Sequence, residues 1–145
     1  MEVSEKDRLD QITRRIIGAA IEVHRHLGSG LLESAYESCL VLELKQLGFE
    51  VEQQKPLPVA YKGIVLDCGY RLDLVVDDAV IIELKAVEQM SSIFEAQLLS
   101  YLRLTGKKVG LLINFHVPVL KNGIKRIVNE FPDEKAFSAS SASRR

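Results

Sequence analysis

Three ionisable side chains lie in two otherwise apolar segments in the middle of the chain. Asp73 lies within residues 71–76, and Glu83 and Lys85 lie within residues 81–86. Because alternate residues of a strand share a face, Glu83 and Lys85 are predicted to point to the same side of a sheet. Two carboxylates and a backbone carbonyl form a hard-oxygen site for Mg²⁺ or Mn²⁺, and a neighbouring lysine can orient a water or help to deprotonate it. This pattern is typical of phosphodiester cleavage.

The alternative is that Glu83 and Lys85 form a solvated pair on an exposed face of the sheet, since Glu-x-Lys is a common sequence. Apolar strands on both sides of this one, and helices able to cover both faces, weigh against that interpretation.

A shared metal also requires a particular turn between the two strands. A two-residue loop at 77–78 would pair Asp73 with Ile82 and place the carboxylates on opposite faces. A three-residue loop at 77–79 would pair Asp73 with Glu83. We therefore predict either the longer loop or a bulge near Asp73.

The elements that position these residues follow from the spacing of apolar side chains. Steps of three and four predict helices over about 6–27 and 31–47, ended by Gly28 and Gly48. In the second helix, Glu33 lies three residues before Tyr36 and is predicted to share its buried face. With Gly30 as N-cap, Glu33 would also stabilise the start of the helix.

Between residues 49 and 87 the period becomes two, which predicts several strands. Pro56 and Pro58 belong at an edge or a break. Ser92 to Glu95 has capping-box spacing and opens a third helix, which Gly106 ends. The predicted strands span about 49–54, 57–61, 64–69, 71–76, 80–87, 109–115 and 124–128, with turns at 61–64, 77–78 and 122–123.

Composition limits the class of protein. The chain has 145 residues, a net charge of −1 and 47% apolar residues, as expected for a single α/β domain over 1–132. The tail at 133–145 is small and polar, and is predicted to be disordered. The chain lacks a secretory signal and any apolar run near the ~20 residues of a membrane span, so we expect a cytoplasmic protein. Cys39 and Cys68 do not form a disulfide framework or a paired-cysteine zinc site.

Other candidate motifs are weaker. His24, His26 and His116 lack the spacing of a helical zinc site. Gly28-Ser-Gly30 precedes a helix, but neither a strand before it nor Lys-Ser/Thr after it supports a phosphate loop. Gln97 and Tyr101 share a helix face with Phe94, and such a glutamine is more often a core amide than a ligand.

Five segments, in order, resemble the GxxExxY proteins of the PD-(D/E)XK nuclease superfamily. They are Val23 to Tyr36 (with Gly30, Glu33 and Tyr36 at the named positions), Tyr70 to Asp73, Ile82 to Lys85, Gln97 to Leu102 and Gly110 to Phe115. The resemblance implies a central mixed sheet flanked by helices on both faces, the restriction-endonuclease-like core.

The resemblance also implies residue roles. Asp73 and Glu83 would hold Mg²⁺ or Mn²⁺, Lys85, Glu33 and Gln97 would be catalytic, and Tyr36, Arg71 and Tyr101 would support them. One departure is Phe94, which stands where the family pattern often has histidine. The implied partner is nucleic acid, with DNA favoured over RNA, and the chain could act as a homodimer. The alternative is a nucleic-acid or protein binding module that keeps the fold without cleaving.

Overall fold

The computed structural model of the chain describes residues 3–132, so the predicted disorder of 133–145 lies outside the described residues. In chain order the elements are α1 (Glu5–Leu27), α2 (Glu33–Gln46), β1 (Val51–Tyr61), β2 (Ile64–Val76), β3 (Val80–Lys85), α3 (Ser92–Thr105), β4 (Val109–Asn114), a short 3-10 helix (Leu120–Gly123) and β5 (Ile124–Val128). Among these residues, the helices are too short or too polar to cross a membrane.

The strands form one mixed sheet in the order β1-β2-β3-β4-β5. Among the strands of residues 3–132, only β3 and β4 are parallel, and α3 connects them. Apolar residues of α1 and α2 pack on one face of the sheet, and those of α3 pack on the other. This arrangement confirms the predicted α/β fold, because alternate side chains of the buried strands supply the two cores.

The starts of two helices differ from the prediction. The N-cap of α2 is Leu32, which makes no side-chain cap, so the expectations that Gly30 is the N-cap and that Glu33 lies at the third position are wrong. In α3 the N-cap is Ser91, whose hydroxyl accepts from Ile93 N–H, and the predicted capping box from Ser92 is therefore one residue out.

Several predicted strands merge into longer ones. β1 continues through Pro56 and Pro58, and β2 continues through Gly69, so five predicted strands over 49–87 are three. The prolines are compatible with β1 because it is the edge strand, where a missing N–H can face solvent. The β1–β2 turn is the predicted one, with Lys62 and Gly63 at positive φ.

The loop between β2 and β3 has three residues, 77–79, and pairs Val76 with Val80 and Leu74 with Ile82. The predicted odd register is therefore confirmed. Continued by one step, it places Asp73 opposite Glu83, so that both belong to one side of the hairpin.

Candidate active site

The regular pairing of β2 with β3 ends at Leu74 and Ile82, and carboxylates replace it beyond that point. Asp73 N–H donates to Glu83 Oε2 at 2.9 Å, and Leu84 N–H donates to Asp73 Oδ2 at 2.8 Å. Each acidic side chain thus accepts from the backbone of the opposite strand. The two carboxylates are held together where the strands separate.

Strand β2 is irregular at this position. Leu72 packs in the core under α3, whereas Leu74 packs in the core under α1 and α2, although residues two apart on a regular strand share a face. Opposite Asp73, Gln54 of β1 has a φ of 50°. The strand pair is therefore distorted at Asp73, and the Asp73 carboxylate contacts both Gln54 of β1 and Leu84 N–H of β3.

Glu83 is buried, with 6% of its surface exposed. Burial first, and then the negative charge of Asp73, raise the pKa of the Glu83 carboxyl to about 8, while the Asp73 N–H and the Lys85 charge act in the opposite direction. The metal-free site therefore disfavours ionisation of Glu83 at neutral pH.

Lys85 lies on the same side of β3 as Glu83, as its spacing predicts. Its ammonium Nζ stands 4.3 Å from the centre of the Phe94 ring, a cation–π contact. The aromatic ring at this position thus orients the lysine, which is a contact that the sequence pattern did not predict.

Helix α3 also brings Tyr101 to the site. Burial, followed by the charges of Glu83, Tyr70 and Asp73, raises the pKa of Tyr101 to about 12, which keeps its hydroxyl protonated at neutral pH. Gln97, one turn earlier, is half-buried. Within residues 3–132 its amide makes no hydrogen bond, so it is not the satisfied core amide considered above.

Glu33 is exposed, so the expectation that it faces inward is wrong. One turn further along α2, Glu37 accepts hydrogen bonds from Gln53 Nε2 at 3.2 Å and Gln54 Nε2 at 2.9 Å. Gln54 Nε2 also lies 3.4 Å from Asp73 Oδ1, and the Glu37 charge contributes to the raised pKa of Glu83. Glu37 is thus the α2 carboxylate linked to the site. The sequence could have indicated it, because Glu37 lies four residues after Glu33 and so on the same face of the helix.

The remaining predicted residues divide between support and surface. Tyr36 is fully buried, stacks on Phe115 at 4.3 Å, donates to Gly28 O at 2.6 Å and accepts from Leu31 N–H, so it fixes the chain before α2. Arg71 is exposed and makes no contact with the carboxylates in the described part of the chain.

Sequence reasoning missed a role for Asn114. Its buried side chain donates to Val87 O and accepts from Val87 N–H, which holds the segment after Lys85 against β4.

The donor set suits a small, hard cation rather than a metal cage. Within residues 3–132, three or more His, Cys, Asp or Glu side chains are nowhere arranged to hold a metal ion. Asp73 and Glu83 supply two carboxylates, and Glu83 Oε1 accepts no hydrogen bond from a described residue. Mg²⁺ characteristically takes one or two carboxylates and completes its shell with waters and substrate phosphates. A bound cation would stabilise the ionised form of Glu83, which burial and the Asp73 charge disfavour in the metal-free protein.

The model of the PD-(D/E)XK nuclease superfamily matches residues 10–127. The chain belongs to this superfamily. The match runs from within α1 to within β5 and includes the site described above. A superfamily nuclease generally uses divalent metal ions and binds nucleic acid, which agrees with the carboxylate pair.

Two further comparisons add little. The curated proteins include no match. Among solved structures, the crystal structure of SSO0001 is similar to this chain at 18% sequence identity and a TM-score of 0.39, covering 91% of this chain and 84% of that chain. Neither fold nor function is inferred from a likeness at that level.

Proposed function

We propose that this PD-(D/E)XK protein is a metal-dependent nuclease that hydrolyses phosphodiester bonds of nucleic acid. The observation that carries the proposal is the pairing of Asp73 and Glu83 across diverging strands, with Lys85 on the same face of β3. Asp73 and Glu83 would hold Mg²⁺ or Mn²⁺, which supplies Lewis acidity and a more acidic bound water.

The chain's own residues would position the substrate. Lys85, oriented by Phe94, would donate to a phosphate oxygen or to the attacking water and offset the negative charge that develops on the phosphate oxygens. Gln97 would hydrogen-bond the substrate from α3, and from α2 the carboxylate of Glu37, rather than that of the exposed Glu33, would act through Gln54. Tyr36, Arg71 and Tyr101 would support these groups, with the exposed Arg71 available to a phosphate.

The finer assignments belong to the same proposal. The Gly30, Glu33 and Tyr36 spacing supports membership of the GxxExxY family. We take DNA as the substrate, the cytoplasm as the location and a homodimer as the active form. The exposed apolar face formed by Tyr61, Ile64 and Leu66 on the β1–β2 hairpin supports self-association.

The test is cleavage of single- and double-stranded DNA and RNA with Mg²⁺, Mn²⁺ or EDTA. Activity should require metal, should vanish in Glu83→Gln, and should persist in Glu88→Gln, which changes an exposed glutamate in the same way. Equal activity in all three proteins would indicate a contaminating nuclease and contradict the proposal.

A second candidate is a binding module that keeps the fold and does not cleave. Phe94 in place of histidine and the exposed Glu33 favour it, because both reduce the number of polar groups at the site. Metal-dependent binding of nucleic acid without cleavage of any substrate form would select this candidate.

A further inference from the structure

A cavity lies beside the candidate active site, on the outer flank of α3. It has a volume of about 300 Å³ and lies between Tyr70 of β2 and the α3 residues Ile93, Gln97, Ser100, Tyr101 and Leu104. We name it the Tyr70 pocket. Its volume falls at the lower end of the range for small-ligand sites, so it has room for one planar ring system and excludes a duplex.

The Tyr70 pocket is lined by several large apolar side chains that are exposed to solvent. Tyr70, Ile93 and Leu104 expose 43%, 63% and 45% of their surfaces, and they converge on one cavity. Scattered apolar side chains on a surface are ordinary, but a concave cluster of them with a few polar groups is the character of a binding site.

The Tyr70 pocket and the candidate active site share a wall. The Tyr70 ring stands edge-on to the Tyr101 ring, with centroids 5.9 Å apart and planes at 61°. Tyr101 in turn lies close enough to Glu83 and Asp73 for their charges to act on its hydroxyl. Along β2, Tyr70 precedes Asp73 by three residues, or roughly 10 Å.

The chemistry of the lining indicates what kind of ligand would bind. Tyr70 offers an exposed π face on which a base can stack, an interaction that tolerates any sequence. The Gln97 amide lines the pocket, makes no hydrogen bond within residues 3–132, and presents donor N–H groups and an acceptor oxygen, which suit the edge of a base. The exposed Ser100 hydroxyl lies on the same wall.

We propose that the Tyr70 pocket binds one unpaired nucleobase of the strand whose phosphate lies at Asp73 and Glu83. This inference rests on the proposed function and deepens it, because a base inside a duplex cannot present its face to Tyr70 without leaving the stack. The enzyme would therefore prefer single-stranded or locally unpaired substrate.

The test measures binding of a fluorescein-labelled single-stranded oligonucleotide by anisotropy. Lys85→Ala protein with Mn²⁺ keeps the oligonucleotide intact, and the measurement is repeated in EDTA. Loss of a stacked base costs ~1–3 kcal/mol, so Tyr70→Ala should raise Kd by about 5- to 150-fold. Tyr70→Phe keeps the ring and should stay within about twofold. Leu42→Ala is the matched control, because Leu42 is 56% exposed on α2, across the sheet.

An abasic oligonucleotide series identifies the bound base. Removing the base that occupies the pocket should weaken binding to the parent protein and have no further effect on Tyr70→Ala. Tyr70→Ala loses the edge contact with Tyr101, so its melting temperature should be lower than the parent's, and thermal melts should show it folded at the temperature of the binding assay.

The outcomes separate the two proposals. Tight binding that neither Tyr70→Ala nor any abasic position weakens would overturn the pocket assignment and leave the proposed function standing. If Tyr70→Ala changes the oligomeric mass and no abasic position weakens binding, the pocket is a contact between copies of the chain, and the pocket assignment is again overturned. A parent protein that binds no form of nucleic acid would overturn the proposed function and this inference together.

Discussion

Replacing Glu83 by Gln should stabilise the metal-free protein, and the gain should grow with pH. Burial and the Asp73 charge raise the pKa of Glu83 from 4.5 to about 8, so between these values the folded chain keeps a proton that the unfolded chain has released. The unfolded state then binds fewer protons, and the free energy of unfolding falls as pH rises.

The magnitude follows from the width of that pH window. A tenfold change in proton affinity is worth 1.36 kcal/mol, so the loss is about 1.4 kcal/mol per pH unit, about 3 kcal/mol by pH 7 and about 5 kcal/mol above pH 8. The amide introduced by Glu83→Gln would stay neutral throughout, and its carbonyl can still accept from Asp73 N–H. The variant should therefore escape this loss.

The assay is urea unfolding in EDTA at pH 5, 6, 7 and 8, with Glu88→Gln as the matched control because Glu88 is exposed. Other titrating groups contribute equally to all three proteins, so the difference between Glu83→Gln and wild type isolates this carboxyl. A difference that does not change between pH 5 and 8 would refute the reasoning.

Divalent metal should offset most of this difference at pH 7. A ligand that binds only the folded state adds about 2.7 kcal/mol at a concentration of 100 Kd. Mn²⁺ or Mg²⁺ should therefore raise the melting temperature of wild type and leave that of Glu83→Gln unchanged. An equal rise in both proteins would place the metal elsewhere.

Four further substitutions test other parts of the structure. Lys85→Ala should abolish cleavage and keep the metal-induced rise in melting temperature, because an ammonium group does not ligate a cation; retained cleavage would move its role to another residue. Tyr36→Phe should cost about 1–3 kcal/mol of unfolding free energy, since it leaves two backbone groups without their partner. Gly123→Ala should destabilise the fold, because the added Cβ would lie 2.3 Å from Asn114 O. Gly18→Ala should raise the free energy of unfolding by about 0.5–1 kcal/mol, because Gly18 lies in an exposed part of α1 and its added Cβ would have nothing within 4 Å. Denaturant unfolding measures both, and an equal effect of the two glycine changes would contradict the packing.

Local spacing was sufficient for the core of the candidate site. The two-residue step from Glu83 to Lys85 puts both on one face of a regular strand. The requirement for a shared face with Asp73 left either a three-residue loop, which the structure has, or a bulge near Asp73. Helix α1, the start of β4 and the end of α3 at Gly106 also followed from the sequence, because helical period, apolar runs and glycine conformations are properties of short segments.

Other features depended on contacts between distant segments, and only the tertiary structure decided them. Which glutamate of α2 meets the carboxylates depends on where that helix crosses the sheet, and the structure selects Glu37 through Gln54 where the sequence suggested Glu33. The cation–π contact of Lys85 with Phe94 depends on how α3 packs over β3. Side-chain period tells which face of an element is buried, but the position of one element along another is set by packing between residues far apart in sequence.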